Sequence, residues 1–211
     1  VVDMQRFRSG KSLSPIRQAE AYWSALREGV GIPLRSRIDP RGLENLLEYA
    51  FVLERVAPGI ARFRLAGQHL TMLASMEVRG MPLTALFTPT SRGTIGAALE
   101  QMFDTPAIAE LSLTSEARFT RTTAEAHMIL LPLKSDLGEI SRALGVLVSE
   151  CRPEAAPVRF DVSTTLSRPV TGLTYLEETD RSVPEPARGL AEDQAPYSGR
   201  HPHLRLVKTD T

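Results

Sequence analysis

The amino-acid sequence predicts an α+β domain: a five-stranded antiparallel sheet with helices on one face and an N-terminal helical extension. Two observations lead to this prediction. Apolar periodicities follow one another as helix, helix, two strands, short helices, one longer helix and three strands. Pro58-Gly59 separates two strand-like runs, which is typical of a type II turn in a hairpin.

The composition excludes several classes of protein. The chain has 211 residues with 25 basic and 25 acidic side chains, so it offers no general attraction for nucleic acid. The longest strongly apolar run, 128–133, is far shorter than the roughly 20 residues of a membrane-spanning helix. The single cysteine, Cys151, excludes an intramolecular disulfide. The polar, basic start has no apolar stretch behind it, so we expect a cytoplasmic protein.

Three regions are predicted along the chain. Residues 1–40 form an N-terminal helical extension and 41–150 form the α+β domain. Residues 151–211 hold 7 of the 15 prolines and few apolar side chains, so we expect a flexible tail. Two short pieces of that tail, 158–162 and 204–207, have the composition to pair or dock.

The extension contains a predicted helix over 15–28 with one narrow apolar stripe. The stripe has two interpretations: it packs on the chain's own sheet, or it pairs with the same helix of a second chain. Large aromatic residues supply much of the energy of such contacts. The candidate dimer-contact residues are Ile16, Ala19, Tyr22, Trp23 and Leu26.

The remaining elements follow in order. Asp39-Pro40 predicts a capped helix start. Strands are expected over 51–56 and 61–66, then a helical segment from 69 to 76 and a longer helix over about 91–103. Three strands close the domain, at about 108–119, 125–133 and 143–149.

Five ordered stretches carry a family resemblance. They are Tyr22-Trp23 with Leu26-Arg27, Pro33-Leu34-Arg35-Ser36 with Ile38-Asp39-Pro40, Phe63-Arg64-Leu65-Ala66-Gly67, Gly80-Met81-Pro82-Leu83 with Leu86-Phe87, and Leu130-Leu131-Pro132-Leu133. Together with the element order, they make residues 15–150 resemble a PAS-like family common in alphaproteobacteria, whose members include small single-domain proteins. Arg37 departs from the family pattern, in which an acidic residue is expected. The resemblance implies a sensory or regulatory domain that holds a small molecule, or nothing, between its sheet and helices.

A candidate ligand pocket follows from that resemblance. Five of its residues lie on or next to the predicted helices. The sixth, His127, lies on a predicted strand, where it shares a face with Ile129 and Leu131. The six residues are His69, Met72, Met76, Met102, Phe103 and His127. The alternative is that these side chains are ordinary core. The cofactor stays unknown: the helix over 91–103 has no histidine for haem, and Cys151 lies beyond the last predicted strand, which makes it a poor partner for a flavin and more typical of a surface or boundary thiol.

Other polar groups give weaker signals. Six arginines are candidates for binding an anionic ligand or an acidic partner, with a solvated surface as the alternative. They are Arg35, Arg37, Arg62, Arg64, Arg118 and Arg121. His201 and His203 have no acidic or cysteine neighbour, so we predict no metal site. Known catalytic motifs are absent from the sequence, so we assign no catalytic residue and expect no enzyme.

The sequence therefore predicts a stand-alone regulatory domain of bacterial signalling. It would act in trans on a signalling protein through a small-molecule ligand or through homodimerisation. One alternative is a constitutive interaction adaptor whose core holds no ligand. Another is a small α+β enzyme in which His69, His127 or an arginine acts on a substrate.

Overall fold

The computed structural model describes residues 13–29, 31–116, 123–151 and 156–170, and the account below concerns these residues. The α-helices are α1 (Leu13–Ala25), α2 (Gln68–Ala74) and α3 (Arg92–Asp104). The strands are β1 (Ala50–Ala57), β2 (Ile60–Ala66), β3 (Ala107–Ser115), β4 (Glu125–Lys134), β5 (Ile140–Ser149) and β6 (Phe160–Pro169). Short 3-10 helices cover Arg35–Arg37, Pro40–Leu46 and Leu83–Leu86.

The strands form one antiparallel sheet in the order β2-β1-β5-β4-β3-β6. The predicted α+β fold is confirmed, and β1 pairs with β5 at the centre as the element order requires. The β1–β2 hairpin turns at Pro58-Gly59, where Gly59 has the positive φ of 65° that a type II turn needs at its third position. Asp39 caps the Pro40–Leu46 helix by accepting a hydrogen bond from the Arg41 backbone N–H.

The sheet has six strands rather than the predicted five. The sixth strand, β6, begins within the candidate piece 158–162 and continues to Pro169, beyond the part of the tail that was expected to pair. β6 pairs with the edge of β3 from Ala107↔Pro169 to Ser115↔Phe160. Phe160 is fully buried in the core. Composition hid this strand because seven of its ten residues are polar, charged or proline, and backbone pairing supplies much of its attachment. The second candidate piece, 204–207, lies outside the described residues.

We call the face of the sheet that α2 and α3 cover the front face. Its side chains pack with those helices as one apolar cluster. The large fully buried aromatic residues of the cluster are Phe51, Phe63, Phe87 and Phe160. The Phe51 ring lies directly against Gly145 on the neighbouring strand, in space that any larger side chain there would fill.

The opposite, back face is covered by α1 and the Pro40–Leu46 helix, so the prediction of helices on one face only is wrong. β4 explains the difference. Ile129 and Leu131 are buried at the back, while Met128 and Leu130 are buried at the front. A strand that is apolar on both sides needs cover on both sides. The continuous run 128–133 was the sequence signal of this arrangement.

Trp23 fixes α1 to the sheet. Its side chain is fully buried, and its indole Nε1–H donates a 2.8 Å hydrogen bond to the Pro132 carbonyl. The pairing of β4 with β3 ends at Leu130, and the Lys134 N–H on the same edge bonds the Pro33 carbonyl instead. Pro132, which has no N–H to donate, is therefore tolerated because no β3 residue pairs with it. Its carbonyl accepts a hydrogen bond from the Trp23 indole instead of from β3.

Replacing Gly145 with alanine tests the contact with Phe51. The new Cβ would overlap the buried ring, so we expect Gly145→Ala to lower the free energy of unfolding by about 1–3 kcal/mol in urea titrations. Gly93→Ala is the control, because its Cβ meets nothing within 4 Å. It should leave stability unchanged or raise it by up to about 1 kcal/mol. Equal effects at both positions would contradict the packing described.

Candidate functional site

Three of the predicted pocket residues lie on the front face. Met102 and Phe103 of α3 are buried in the front cluster, and Met72 of α2 packs partly buried against it. They belong to the same apolar cluster as the four buried phenylalanines. None of those phenylalanines was among the predicted pocket residues, although Phe63, which alternates with exposed arginines in β2, gave a usable signal. A flat ligand between α3 and the sheet would therefore compete with packed side chains for space.

His69 lies at the start of α2, half buried. Its ring meets the Tyr49 ring edge-on, with 5.0 Å between the centroids. Its Nε2 atom is buried and has no hydrogen-bond partner in the described structure. Burial lowers the pKa of His69, and the nearby Glu48 carboxylate offsets only part of that effect. The neutral imidazole is thus the favoured form near neutral pH.

The structure separates the other two pocket residues from this group. α2 ends at Ala74 and Ser75 turns with a φ of 55°, so Met76 leaves the predicted helical face and is 56% exposed. His127 alternates with Ile129 and Leu131 as predicted, but these two face α1. His127 therefore lies on the back of the sheet, and its placement in a pocket with His69 is wrong. Periodicity predicted which residues share a face but not which helix covers it.

One predicted residue borders an open groove. Phe103 lines a groove of about 660 Å³ between the β1–β2 hairpin, the β4–β5 hairpin and the end of α3. The Arg55 guanidinium lies over its ring, 5.6 Å from the centroid, and pairs with Asp104 at 2.7 Å. The remaining lining residues are Val56, Ala57, Pro58, Gly138, Glu139, Ile140 and Ser141. This groove offers an aromatic face, apolar walls and a cation.

The candidate dimer residues of α1 are mostly used within the chain. Ile16, Ala19 and Trp23 are buried against the back of the sheet, so they present no surface to a partner while α1 stays there. The Tyr22 hydroxyl accepts a hydrogen bond from the Asp39 N–H and donates one to its carbonyl. Leu26 borders a second groove of about 350 Å³. Homodimerisation itself stays a prediction.

Two of the candidate arginines meet on the back face. Glu54 of β1 forms ion pairs with Arg64 of β2 and with Arg142 of β5, and Arg62 stands directly opposite Glu54 in the strand register. Burial opposes ionisation of Glu54, but the bonds from Arg142 and then Arg64 outweigh it and lower the pKa of this carboxyl. The sequence analysis missed Arg142, because only the pairing of β1 with β5 brings it here.

The remaining predicted groups are placed as follows. Arg37 pairs with Glu28 at 2.7 Å. Arg35 lies in the 3-10 helix Arg35–Arg37. Cys151, two residues after the end of β5, is buried in the front cluster rather than at the surface. Arg118, Arg121, His201 and His203 lie outside the described residues.

Within the described ranges no group of three or more His, Cys, Asp or Glu side chains is placed to hold a metal ion. None of the helices described there is long and apolar enough to cross a membrane.

A carboxylate that the sequence analysis overlooked attaches β6 to α3. Asp161 Oδ1 accepts hydrogen bonds from the hydroxyls of Thr88, Thr90 and Ser91, the latter two at 3.1 Å. The Ser91 hydroxyl oxygen also accepts a bond from the Val162 N–H. The bond from Thr88 lowers the pKa of Asp161 most; burial opposes it, and Ser91 and Thr90 add to the lowering.

Comparison with known proteins identifies the family. The sequence model described as the PAS domain matches residues 11–148, which is more than half of the chain. The chain belongs to the PAS domain family. Its α+β architecture is that of a PAS domain with an added strand, β6, on the β3 edge. No curated protein matches the chain.

Several solved PAS-type structures are similar at low identity. A light-oxygen-voltage domain studied with a flavin analogue shares 14% identity at a TM-score of 0.39, over 55% of this chain and 86% of that one. The light-state structure of the blue-light photoreceptor Aureochrome1 LOV shares 13% sequence identity at a TM-score of 0.37. The match covers 54% of this chain and 90% of that one. A fungal LOV domain photoreceptor shares 14% sequence identity at a TM-score of 0.38. The match covers 67% of this chain and 95% of that one.

The burial of Trp23 within one chain predicts that this side chain stabilises the monomer. Trp23→Ala should lower the free energy of unfolding by about 3–5 kcal/mol, because it empties a fully buried site. Trp23→Phe should cost less, since only the indole bond to Pro132 and part of the ring are lost. Urea titrations at several protein concentrations check this. Loss of a dimer with unchanged stability of the monomer would contradict the intramolecular role.

Asp161 gives a pH-dependent prediction. Its pKa is lower in the folded chain than in the unfolded one, so the ionised carboxylate stabilises the fold above its ordinary value of 3.8, and this contribution disappears as pH falls through the folded value. Asp161→Asn should lower stability by about 1 kcal/mol at pH 7. The deficit relative to the wild type should shrink below about pH 4.

Asp136→Asn is the matched control for Asp161→Asn, because Asp136 is exposed on the β4–β5 hairpin. Hydrogen exchange should also quicken in β6 of the Asp161→Asn variant. A deficit that is constant from pH 7 to pH 3 would contradict the assignment.

Proposed function

We propose that this protein is a regulatory PAS domain of bacterial signalling that acts on a partner protein and switches through a small-molecule ligand or through homodimerisation. Membership of the PAS family supports this proposal, because PAS domains generally serve as sensory or signalling modules and are typically non-enzymatic. The resemblance of residues 15–150 to an alphaproteobacterial branch favours a bacterial, cytoplasmic setting. We assign it no catalytic activity.

The groove beside Phe103 is the observation that carries the ligand-binding part of the proposal. It reaches from solvent to a residue of the front cluster, so an occupant would contact the packed core at its edge. The ring of Phe103 and the side chain of Ile140 suit an apolar or flat group. Arg55 suits a carboxylate or phosphate, which would compete with Asp104 for the guanidinium.

A ligand that displaces Asp104 would act directly on two elements. Arg55 belongs to β1 and Asp104 ends α3, so their ion pair joins the sheet to the main front helix. Binding would exchange this link for one between the ligand and β1. Only the difference in affinity for the two arrangements can shift the equilibrium between them. For the dimer, the partly exposed Tyr22 and Leu26 are the remaining candidate contacts beside α1.

A second candidate function is a constitutive adaptor without ligand. The tightly packed front cluster favours it, since Phe51, Phe63 and Phe87 are almost entirely removed from solvent. In that case the groove would be a surface feature, and the protein would act only through its contacts with other proteins.

Native mass spectrometry of freshly purified protein, with denaturing spectra alongside, tests the ligand. We expect an excess mass that disappears on denaturation and that falls in Arg55→Gln, because the variant loses the cation of the groove. Arg92→Gln, an exposed change on α3 outside the groove, is the control. The same spectra report the monomer–dimer ratio.

The outcomes separate the two candidates. An excess mass that depends on Arg55 supports the regulated domain. A constant dimer or monomer with no excess mass in any variant supports the adaptor.

A further inference from the structure

The back face of the sheet is covered unevenly. α1 packs on β4 and β5 and on the Pro40–Leu46 helix, while the outer part of β1 and β2 lies beyond it. Leu65 is 50% exposed there, although Ala61 and Phe63 on the other side of the same strand are buried. Val52 stands opposite Leu65 in the register and shares its face. We call the surface formed by Glu54, Arg62, Arg64, Leu65 and Arg142 the arginine face.

Positive charge exceeds negative charge on this surface. Glu54 is its single carboxylate, and it is shared between Arg64 and Arg142. Arg62, directly across from Glu54, is exposed and forms no ion pair with any residue that the structure describes. Three guanidinium groups around one carboxylate leave a local surplus of two positive charges in a chain that is neutral overall.

The edge of the sheet beside this face is already occupied. The Phe63 N–H donates to the Met81 carbonyl, and the Gly80 N–H donates to the Phe63 carbonyl. Residues 80–82 thus occupy the edge of β2 at Phe63, in the middle of the strand. We therefore expect an occupant of the arginine face to lie across it and to bind through side chains.

We propose that the arginine face docks an acidic, amphipathic segment of the signalling partner, with its carboxylates on Arg62, Arg64 and Arg142 and an apolar side chain on Leu65. The inference rests on the proposed function, because it assumes a protein partner. Charge complementarity identifies the class of partner. The exposed Leu65, adjacent to Arg64, favours a protein over a nucleic acid, which would need a longer basic surface.

A second copy of this chain is a poorer occupant. A two-fold contact places the same patch on both sides of the interface. The arginines of one copy would then face those of the other, with one Glu54 on each side already held by two guanidinium groups. Like charges brought together in this way oppose association.

Two labelled synthetic peptides test the proposal on the full chain. One has glutamate and leucine in an amphipathic helical pattern, and the other has lysine in place of every glutamate. We expect the glutamate peptide to bind in fluorescence anisotropy, to weaken as salt is raised, and to shift amide signals of β1, β2 and β5 in NMR spectra. The lysine peptide should not bind.

Charge-reversal variants locate the contact. Arg62→Glu with Arg64→Glu should weaken binding of the glutamate peptide by about tenfold or more. Arg92→Glu, an exposed arginine of α3 at the front, is the matched control and should change affinity by less than about twofold. Thermal melts report folding, and the single change Arg62→Gln, at an exposed residue without an ion pair, gives the same test with little risk to the fold.

Three results would overturn the proposal: no binding of the glutamate peptide, equal binding of both peptides, or equal weakening by Arg92→Glu. Native mass spectrometry distinguishes failure of the docking proposal from failure of the proposed function. If a ligand-bearing regulated protein fails to bind the acidic peptide, only the docking face is wrong. If the spectra show neither ligand nor dimer and the peptide does not bind, both proposals fail.

Discussion

The two-sided apolar character of β4 and β5 is the constraint on which the architecture depends. Leu144 and Val146 are buried at the back while Ala143 and Leu147 are buried at the front. A sheet covered only by α2 and α3 would leave one of these rows in water. α1 is therefore a structural part of the domain, and the Trp23 indole bond to Pro132 sets its position at the one place where the central strand lacks a donor. Placing α1 over β4 and β5 also leaves Arg62, Arg64 and Leu65 of β2 exposed to solvent.

Much of this fold was open to prediction from the sequence because its signals are local. The Pro58-Gly59 turn, the alternation from 61 to 64 and the helix over about 91–103 each depend on neighbours in the chain. The alternation would also bury Leu65 beside Phe63, but a register shift between β1 and β2 turns Leu65 to the exposed side. The errors share a different cause. His127 was assigned to the right row of side chains but to the wrong side of the sheet, since alternation does not say which helix covers a row. Only the start of β6 was expected to pair, because pairing with β3, rather than apolar content, holds the rest of this strand in place.

The candidate sites likewise combine residues with local sequence signals and residues that only the folded sheet brings together. Phe103 was predicted as a lining residue, but its companions Arg55 and Ile140 come from two hairpins that only the folded sheet brings to one end. Arg62 and Arg64 were visible as an alternating basic pair, whereas Arg142 joins them from 78 residues further along the chain than Arg64 through the pairing of β1 with β5. Arg142 and Arg64 outweigh the effect of burial and keep Glu54 ionised, so on mild acidification this carboxylate continues to pair with them.

The position of β6 has a consequence for the synthesis of the protein. Chains emerge from the ribosome N-terminus first, and domains generally fold as units once their residues are available. β1 to β5 are complete at residue 149, yet the outer edge of β3 is paired only when 160–169 have followed. During that interval the nascent domain exposes an unpaired strand with the buried row of Leu111 and Leu113 beside it. An unpaired apolar edge of this kind is a template for aggregation. Translation pauses or truncations between residues 150 and 169 would therefore expose the chain to mispairing that the finished fold avoids.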